Sequence, residues 1–317
     1  MDTIDLQKLA IRTRSMREAG IALILASVIL ALFLLVPVSP KEETSSEPIT
    51  TVATSTAPDA FAHVSLEANA AIVYDLITGE TLYARNADAQ LPLASLTKLL
   101  TVYAAINELP NDTLITIPEN VTLLSAPRIF SAGQTFTLAD LSRLTLTASL
   151  NDGAEAIAEA TAAYENRTQS AMLAGAAAAL DLSQTYAVNG SGLDVNGAVS
   201  GGYGSARDLA RLAGALVNRA PTVAEATTKS FAEATSAGGT FFKVKNTDPM
   251  INTIPNLLLS KTGLTDLAGG NLALVFDSGI GHPISIVVLG SSQKARFTDG
   301  TMLVAATFAH FSGVESL

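Results

Sequence analysis

NAAIVYDLITGETLYARNA, residues 69–87, is the stretch from which the fold is read. Two runs rich in β-branched and aromatic residues flank Thr78-Gly79, and that spacing predicts a hairpin. Downstream, apolar residues recur at helical spacing from Ser95 to Leu109, where Pro110 stops the run. Further helices are predicted at about 138–148, 153–164, 168–181 and 205–218, the last opening with a capping-box-like Ser205 and Asp208. After residue 240 the pattern turns to strands, roughly 240–245, 256–260, 270–276 and 283–289, and a final helix covers about 298–311. Strands at both ends with helices between predict an α+β fold, with the first hairpin joining the last strands in one antiparallel sheet.

Composition narrows the function. The chain has 317 residues, 48% hydrophobic and 15% charged, which suits a folded protein and not a disordered one. Its net charge of -10 argues against a general nucleic-acid binder, whose phosphate contacts need a basic face. Zero Cys excludes disulfides, thiolate nucleophiles and Cys-ligated metals. The three His (His63, His282 and His310) are scattered without metal-ligand spacing. No metal or cofactor is expected.

The N-terminus reads as a tail, a span and a tether. Residues 1–19 carry Lys8, Arg12, Arg14 and Arg17, and residues 20–38, GIALILASVILALFLLVPV, are uncharged. Nineteen residues give about 28 Å of helix, enough to cross a hydrocarbon core. A cleaved signal peptide would have a shorter apolar run and a small-residue cleavage site, so an uncleaved transmembrane anchor is expected. The preceding basic residues keep the tail cytoplasmic and place the bulk of the chain outside the cell membrane. The Ser/Thr/Pro-rich stretch 39–62 reads as a linker, and 63–317 as the folded domain that holds all the strand and helix patterns.

Three short motifs could carry chemistry. Ser95-Leu96-Thr97-Lys98 opens a predicted helix, and an i, i+3 pair shares one face, so the lysine could take the serine's proton. That role requires the Lys98 pKa to fall, by burial or by a nearby cation. S-x-x-K should occur about once by chance in such a chain, and Ser291-Ser292-Gln293-Lys294 matches as well. The bland reading of the first match is a capped helix with a surface lysine. Ser149-Leu150-Asn151 precedes an Ala-rich helix and alone reads as helix capping. Lys261-Thr262-Gly263 follows an apolar run on a predicted strand, where Gly263 would admit a close backbone neighbour.

Taken in this order, the three motifs resemble the signature of serine acyl-transferring penicillin-recognising enzymes. The closest resemblance is to the D-alanyl-D-alanine carboxypeptidases, the low-molecular-mass penicillin-binding proteins. It extends through PLASLTKLLTVYAA, TASLNDGAEAIAE, NGSGLDVNGAVSGGYGSARDLARLAGALV and LLSKTGLTDLAGGNLAL, and covers about residues 66–313. It implies a five-stranded antiparallel sheet flanked by helices, with a helical subdomain. It also implies the roles of single residues. Ser95 is then the acylated nucleophile, Lys98 its base, and Ser149 the hydroxyl that passes a proton to the leaving group. Asn151 would hold the peptide backbone, Lys261 supply positive charge, and Thr262 and Arg296 bind the terminal carboxylate. The backbone N–H groups of Ser95 and Leu264 would form the oxyanion hole.

The implied substrate is a peptidoglycan stem peptide ending in D-Ala-D-Ala, with β-lactam antibiotics as covalent inhibitors and no nucleic acid as partner. Two departures from the family pattern stand out. Leu264 replaces the polar residue that often follows K-T-G, and the chain stops soon after its last helix, where many relatives carry a β-rich domain and an amphipathic anchor. In this reading the N-terminal span replaces that anchor. The alternatives are a D,D-endopeptidase that cuts cross-links and an inactive muropeptide- or β-lactam-binding module. A β-lactamase is disfavoured because no Glu-x-x-x-Asn loop lies between Asn151 and Lys261.

Overall fold

In the computed structural model, which describes residues 59–313, the hairpin forms as β1 (Ala70–Asp75) and β2 (Thr81–Arg85). The Asp75 carboxylate accepts from the Ile77 and Thr78 backbone N–H groups at 2.8 and 3.0 Å, and Gly79 takes φ +76°. An Asp that turns the chain through its own backbone and a Gly in the left-handed region are what a tight reversal needs. Five helices of eleven residues or more follow: α1 (Thr97–Glu108), α2 (Leu138–Ala148), α3 (Asn151–Tyr164), α4 (Gln169–Ala179) and α5 (Ala206–Arg219), with a short helix at Pro221–Ala226 after them. The chain then returns to the sheet as β3 (Leu257–Thr265), β4 (Gly269–Asp277) and β5 (Pro283–Ser291), and closes with α6 (Ala295–Ser312).

The sheet order is β3-β4-β5-β1-β2, antiparallel throughout, so the first hairpin does join the last strands. Successive strand residues point to opposite faces. Ala70, Ile72, Val287 and Leu289 therefore pack with α1–α5 on one side. Ala71, Val73, Ile286 and Val288 pack with Leu303 and Val304 of α6 on the other. Coverage on both faces explains why these strands read as continuous apolar runs and not as alternating ones. Each of the Ile, Val and Leu side chains among these contributes about 1.5–3 kcal/mol by burial.

Helix starts follow local chemistry. Thr137, Thr168 and Ser205 accept from the N–H groups of Asp140, Ala171 and Asp208, the N-cap bonds expected of those residue types. The Asp208 carboxylate does not complete a capping box; it accepts from Gln184 N and Thr185 Oγ1 instead. In α1 every residue from Thr97 to Ile106 is buried, which makes it the central helix of the helical lobe.

Four boundaries move. Ala60 and Phe61 are buried in the core, so the packed residues begin before residue 63. The strand read as 256–260 continues to Thr265 and carries K-T-G in its body, not at its end. The helix read from 153 begins at Asn151. The strand read as 240–245 is one half of a second hairpin, Phe231–Thr235 with Phe241–Lys245. The expected anchor at 20–38 lies outside the described residues; among the described residues no helix is long and apolar enough to cross a membrane.

Candidate active site

Ser95 sits in a single 3-10 turn, Ala94–Leu96, that feeds directly into α1. Ala94 is held at φ +47°, a sparsely populated conformation for a residue with a Cβ. The turn is clamped from three sides. Leu93 N donates to Gly202 O at 2.9 Å, Asn271 Nδ2 donates to Pro92 O at 3.0 Å, and edge strand β3 packs alongside. A Cβ at Gly263 would stand 2.9 Å from Leu93 O, closer than such contacts allow, so K-T-G needs glycine for this approach.

The i, i+3 geometry puts Lys98 Nζ 2.9 Å from Ser95 Oγ. Lys98 is 0% exposed, and its remaining donors reach Asn151 Oδ1 and Ser191 O, each at 2.7 Å. Burial lowers its pKa from 10.5 to about 7, against the opposing pull of the Glu155 and Asp152 carboxylates. About half the population is then a neutral amine near pH 7, whose lone pair is placed to accept a proton from Ser95 through the same contact. The surface-lysine reading of this motif does not hold. In the other S-x-x-K match, Ser291 Oγ donates to Asp299 and Lys294 is exposed, so that motif makes no serine–lysine pair.

Ser149 ends α2 in the left-handed conformation, φ 60°, and Leu150, which takes the N-cap position of α3, makes no side-chain cap bond. Neither Ser149 nor Asn151 is the N-cap of α3; Ser149 is the C-cap of α2 through its backbone, which leaves its hydroxyl free for the site. Ser149 Oγ accepts from Lys261 Nζ at 2.9 Å, across 112 residues of sequence. Asn151 Oδ1 is taken by Lys98, while its Nδ2 donates to Ser125 O at 2.9 Å, so this amide braces the site as well as facing it.

Lys261 is 1% exposed, and its Nζ also donates to Thr262 O at 2.7 Å. Burial, with Lys98 and Arg296 nearby, holds its pKa well below the ordinary lysine value. Thr262 Oγ1 shares a 2.7 Å hydrogen bond with Thr247 Oγ1. Arg296 is buried; its Nη1 donates to Gly263 O at 2.5 Å, its guanidinium lies 4.6 Å from the Phe297 ring centroid, and its Nε has no partner. Leu264 is 43% exposed beside these groups.

Three supporting residues escape motif reading. Ser191 contributes a backbone carbonyl, and Glu155 fixes it by accepting from Ser191 N at 2.8 Å. Asp152 ties the neighbouring loop by accepting from Ile129 N and Phe130 N at 2.7 and 2.8 Å. The Asn-Gly-Ser-Gly run at 189–192 carries a trace of this, because a Cβ at Gly192 would collide with Ala94 O.

The sequence profile of the D-alanyl-D-alanine carboxypeptidase family matches residues 52–293. The chain belongs to this family. A D-alanyl-D-alanine endopeptidase of Pseudomonas aeruginosa is 32% identical to it over 249 residues, 75% of this chain and 76% of that protein. D-alanyl-D-alanine carboxypeptidase DacC of Escherichia coli is 28% identical over 270 residues, and the chain spans 64% of that relative's length. The structure of penicillin-binding protein D2 from Listeria monocytogenes in its ampicillin-bound form matches with a TM-score of 0.65 at 31% identity. That match covers 77% of this chain and 99% of the other.

Proposed function

We propose that this protein is a serine-type D-Ala-D-Ala carboxypeptidase that removes the terminal D-alanine from peptidoglycan stem peptides. The observation that carries this reading is the 2.9 Å Ser95–Lys98 contact, with a fully buried lysine whose pKa lies near 7. In this mechanism neutral Lys98 takes the Ser95 proton as Oγ attacks the penultimate D-Ala carbonyl. The carbonyl oxygen gains negative charge between the Ser95 and Leu264 N–H groups. As the C–N bond breaks, a proton passes through Ser149, held by Lys261, to the leaving nitrogen. Water then attacks the Ser95 ester, returns the hydroxyl and releases a carboxylate. Thr262 and Arg296 would bind the leaving residue's carboxylate, for which the free Nε of Arg296 supports the assignment. Asn151 would orient the peptide backbone.

A β-lactam would acylate Ser95 by the same route. Residues 20–38 would anchor the protein as a single span with this domain on the extracytoplasmic side, a reading supported by the uncharged run and the basic residues before it. The experiment is mass analysis of purified muropeptides after incubation with the protein. Loss of one alanine from pentapeptide stems is expected, and unchanged pentapeptide would overturn the assignment.

A further inference from the structure

Two turns lie side by side at the end of the sheet away from the β3–β4 turn. Residues 76–80 join β1 to β2, residues 278–282 join β4 to β5, and Leu76 N donates to Pro283 O at 3.1 Å between them. Both are braced by the aspartate that ends the preceding strand. Asp75 accepts from its own turn, and Asp277 accepts from the N–H groups of Gly279, Gly281 and His282 at 2.8, 2.8 and 3.0 Å. His282 Nε2 lies 2.7 Å from Asp75 Oδ2 and ties one turn to the other. Turns of this kind ordinarily carry Gly, Asn, Asp or Ser at their tips. These two present isoleucine. Ile77 is 62% exposed, and Ile280 is fully exposed at φ +45°. A β-branched residue in the left-handed region is strained, and a fully exposed side chain gains no packing within the domain to offset that. Phe311, in the last turn of α6, is 42% exposed with its ring 5.1 Å from that of His282. Single exposed apolar side chains are ordinary, but three at one end of a sheet mark a contact surface.

The course of the chain shows what covers this face. Phe61, two residues into the described chain, has its ring 5.7 Å from Tyr83 and 5.9 Å from His310, and the His310 ring lies 5.2 Å from Phe311. The polypeptide therefore enters the domain beside the face. Residues 39–58 connect this point to the uncharged run 20–38 and reach at most about 70 Å at full extension. Resting on the anchor reading above, we propose that the face of Ile77, Ile280 and Phe311 inserts into the interfacial layer of the bilayer and seats the domain on the membrane. Apolar side chains at the headgroup boundary supply the contact, and the tether supplies the effective concentration that three side chains alone would lack. Neither turn contains Lys or Arg, and Asp75 and Asp277 are engaged within the turns, so the contact is apolar and needs no anionic lipid. Strand β3 runs from this end toward Gly263, six residues or about 20 Å beyond Leu257. With the sheet end-on to the bilayer, the groove beside Gly263 is held outward by that distance.

The chain contains no Trp, so one introduced Trp reports its own surroundings. Ile280→Trp places it on the face. Val195→Trp places the same probe on a residue 57% exposed at the other end of the sheet, next to Asp194, which accepts from Thr265 Oγ1 at 3.2 Å. Each full-length variant is reconstituted in phosphatidylcholine vesicles with and without acyl-brominated lipid. Bromine should quench Ile280→Trp at least twice as much as Val195→Trp, and adding Ile77→Asp should remove at least half of that excess. Flotation in a density gradient checks the anchor, and thermal melting checks folding; Ile77→Trp with Ile280→Asp carries the test if Ile280→Trp does not fold. Protein that floats with the vesicles but is quenched less than twofold above the control overturns this proposal alone, the result that a soluble partner or a second copy on the face would give. An excess that the Asp substitution lowers by less than half overturns it as well. Protein that does not float overturns the anchor reading and this proposal with it.

Discussion

The acylation rate should rise with pH to a plateau that begins near neutrality. Lys98 must be neutral to take the Ser95 proton, and its pKa falls from 10.5 to about 7, a difference of 3.5. At pH 7 a lysine titrating at 10.5 would be neutral about three times in ten thousand, and one at 7 half the time. Burial of this one amine therefore raises its neutral fraction at pH 7 on the order of a thousandfold, and on this account the reactive enzyme with it. The assay is stopped-flow acylation by a chromogenic cephalosporin from pH 5 to 10, with an expected tenfold rise per pH unit below about 6.5 and little change above 8. Glu155→Gln supplies the perturbation. The Glu155 carboxylate stabilises the Lys98 ammonium, so its removal should shift the rising limb to lower pH and leave the plateau within a few fold. A rate still climbing steeply above pH 9, or a limb unmoved in Glu155→Gln, would refute the reasoning.

The same depressed pKa affects stability. Between about 7 and 10.5 the unfolded chain holds the Lys98 proton and the folded one does not, so stability should rise with pH across that window. The slope approaches about 1.4 kcal/mol per pH unit for one proton. Urea denaturation of wild type and Lys98→Met at pH 7 and 9.5 should show this rise shrinking in the variant; parallel curves would count against it. Arg296→Ala should cost about 2–3 kcal/mol in kcat/KM on a D-Ala-D-Ala peptide, read by D-alanine release. Unchanged turnover would mean that another cation binds the carboxylate. Asp152→Ala strips acceptors from the N–H groups of Ile129, Phe130 and Gly153, and should destabilise the protein by about 3 kcal/mol in chemical denaturation. A loss below about 0.5 kcal/mol would show that those donors find other partners.

What could be read from sequence was local. The Thr78-Gly79 turn, the Ser205 cap and the apolar strands β4 and β5 each declare themselves within a few residues, and the sheet follows from them. Strand β3 was read short because Lys261 and Thr262 interrupt its apolar run, although both are buried. Phe231–Thr235 was missed because FAEAT has too little β-branched character, and its pairing depends on the hairpin partner. Phe61 carried no periodic signal because a single residue tucked against α6 creates none. In the site, motif order located Ser95, Lys98 and Lys261, but neither Ser149 nor Asn151 could be told from a helix cap. Their geometry depends on Lys261 and Lys98, 112 and 53 residues away. Ser191 was invisible because it acts through its carbonyl, and any residue type has one.

The central claim is that Ser95 is the acylated nucleophile and Lys98 its base, and labelling with fluorescent penicillin followed by peptide mass mapping tests it directly. One adduct on Ser95 is expected, lost in Ser95→Ala. It should also be lost in Lys98→Arg, whose guanidinium stays protonated and cannot accept the serine proton. An adduct on Ser291 or elsewhere, labelling that survives Ser95→Ala, or full labelling in Lys98→Arg would contradict the account.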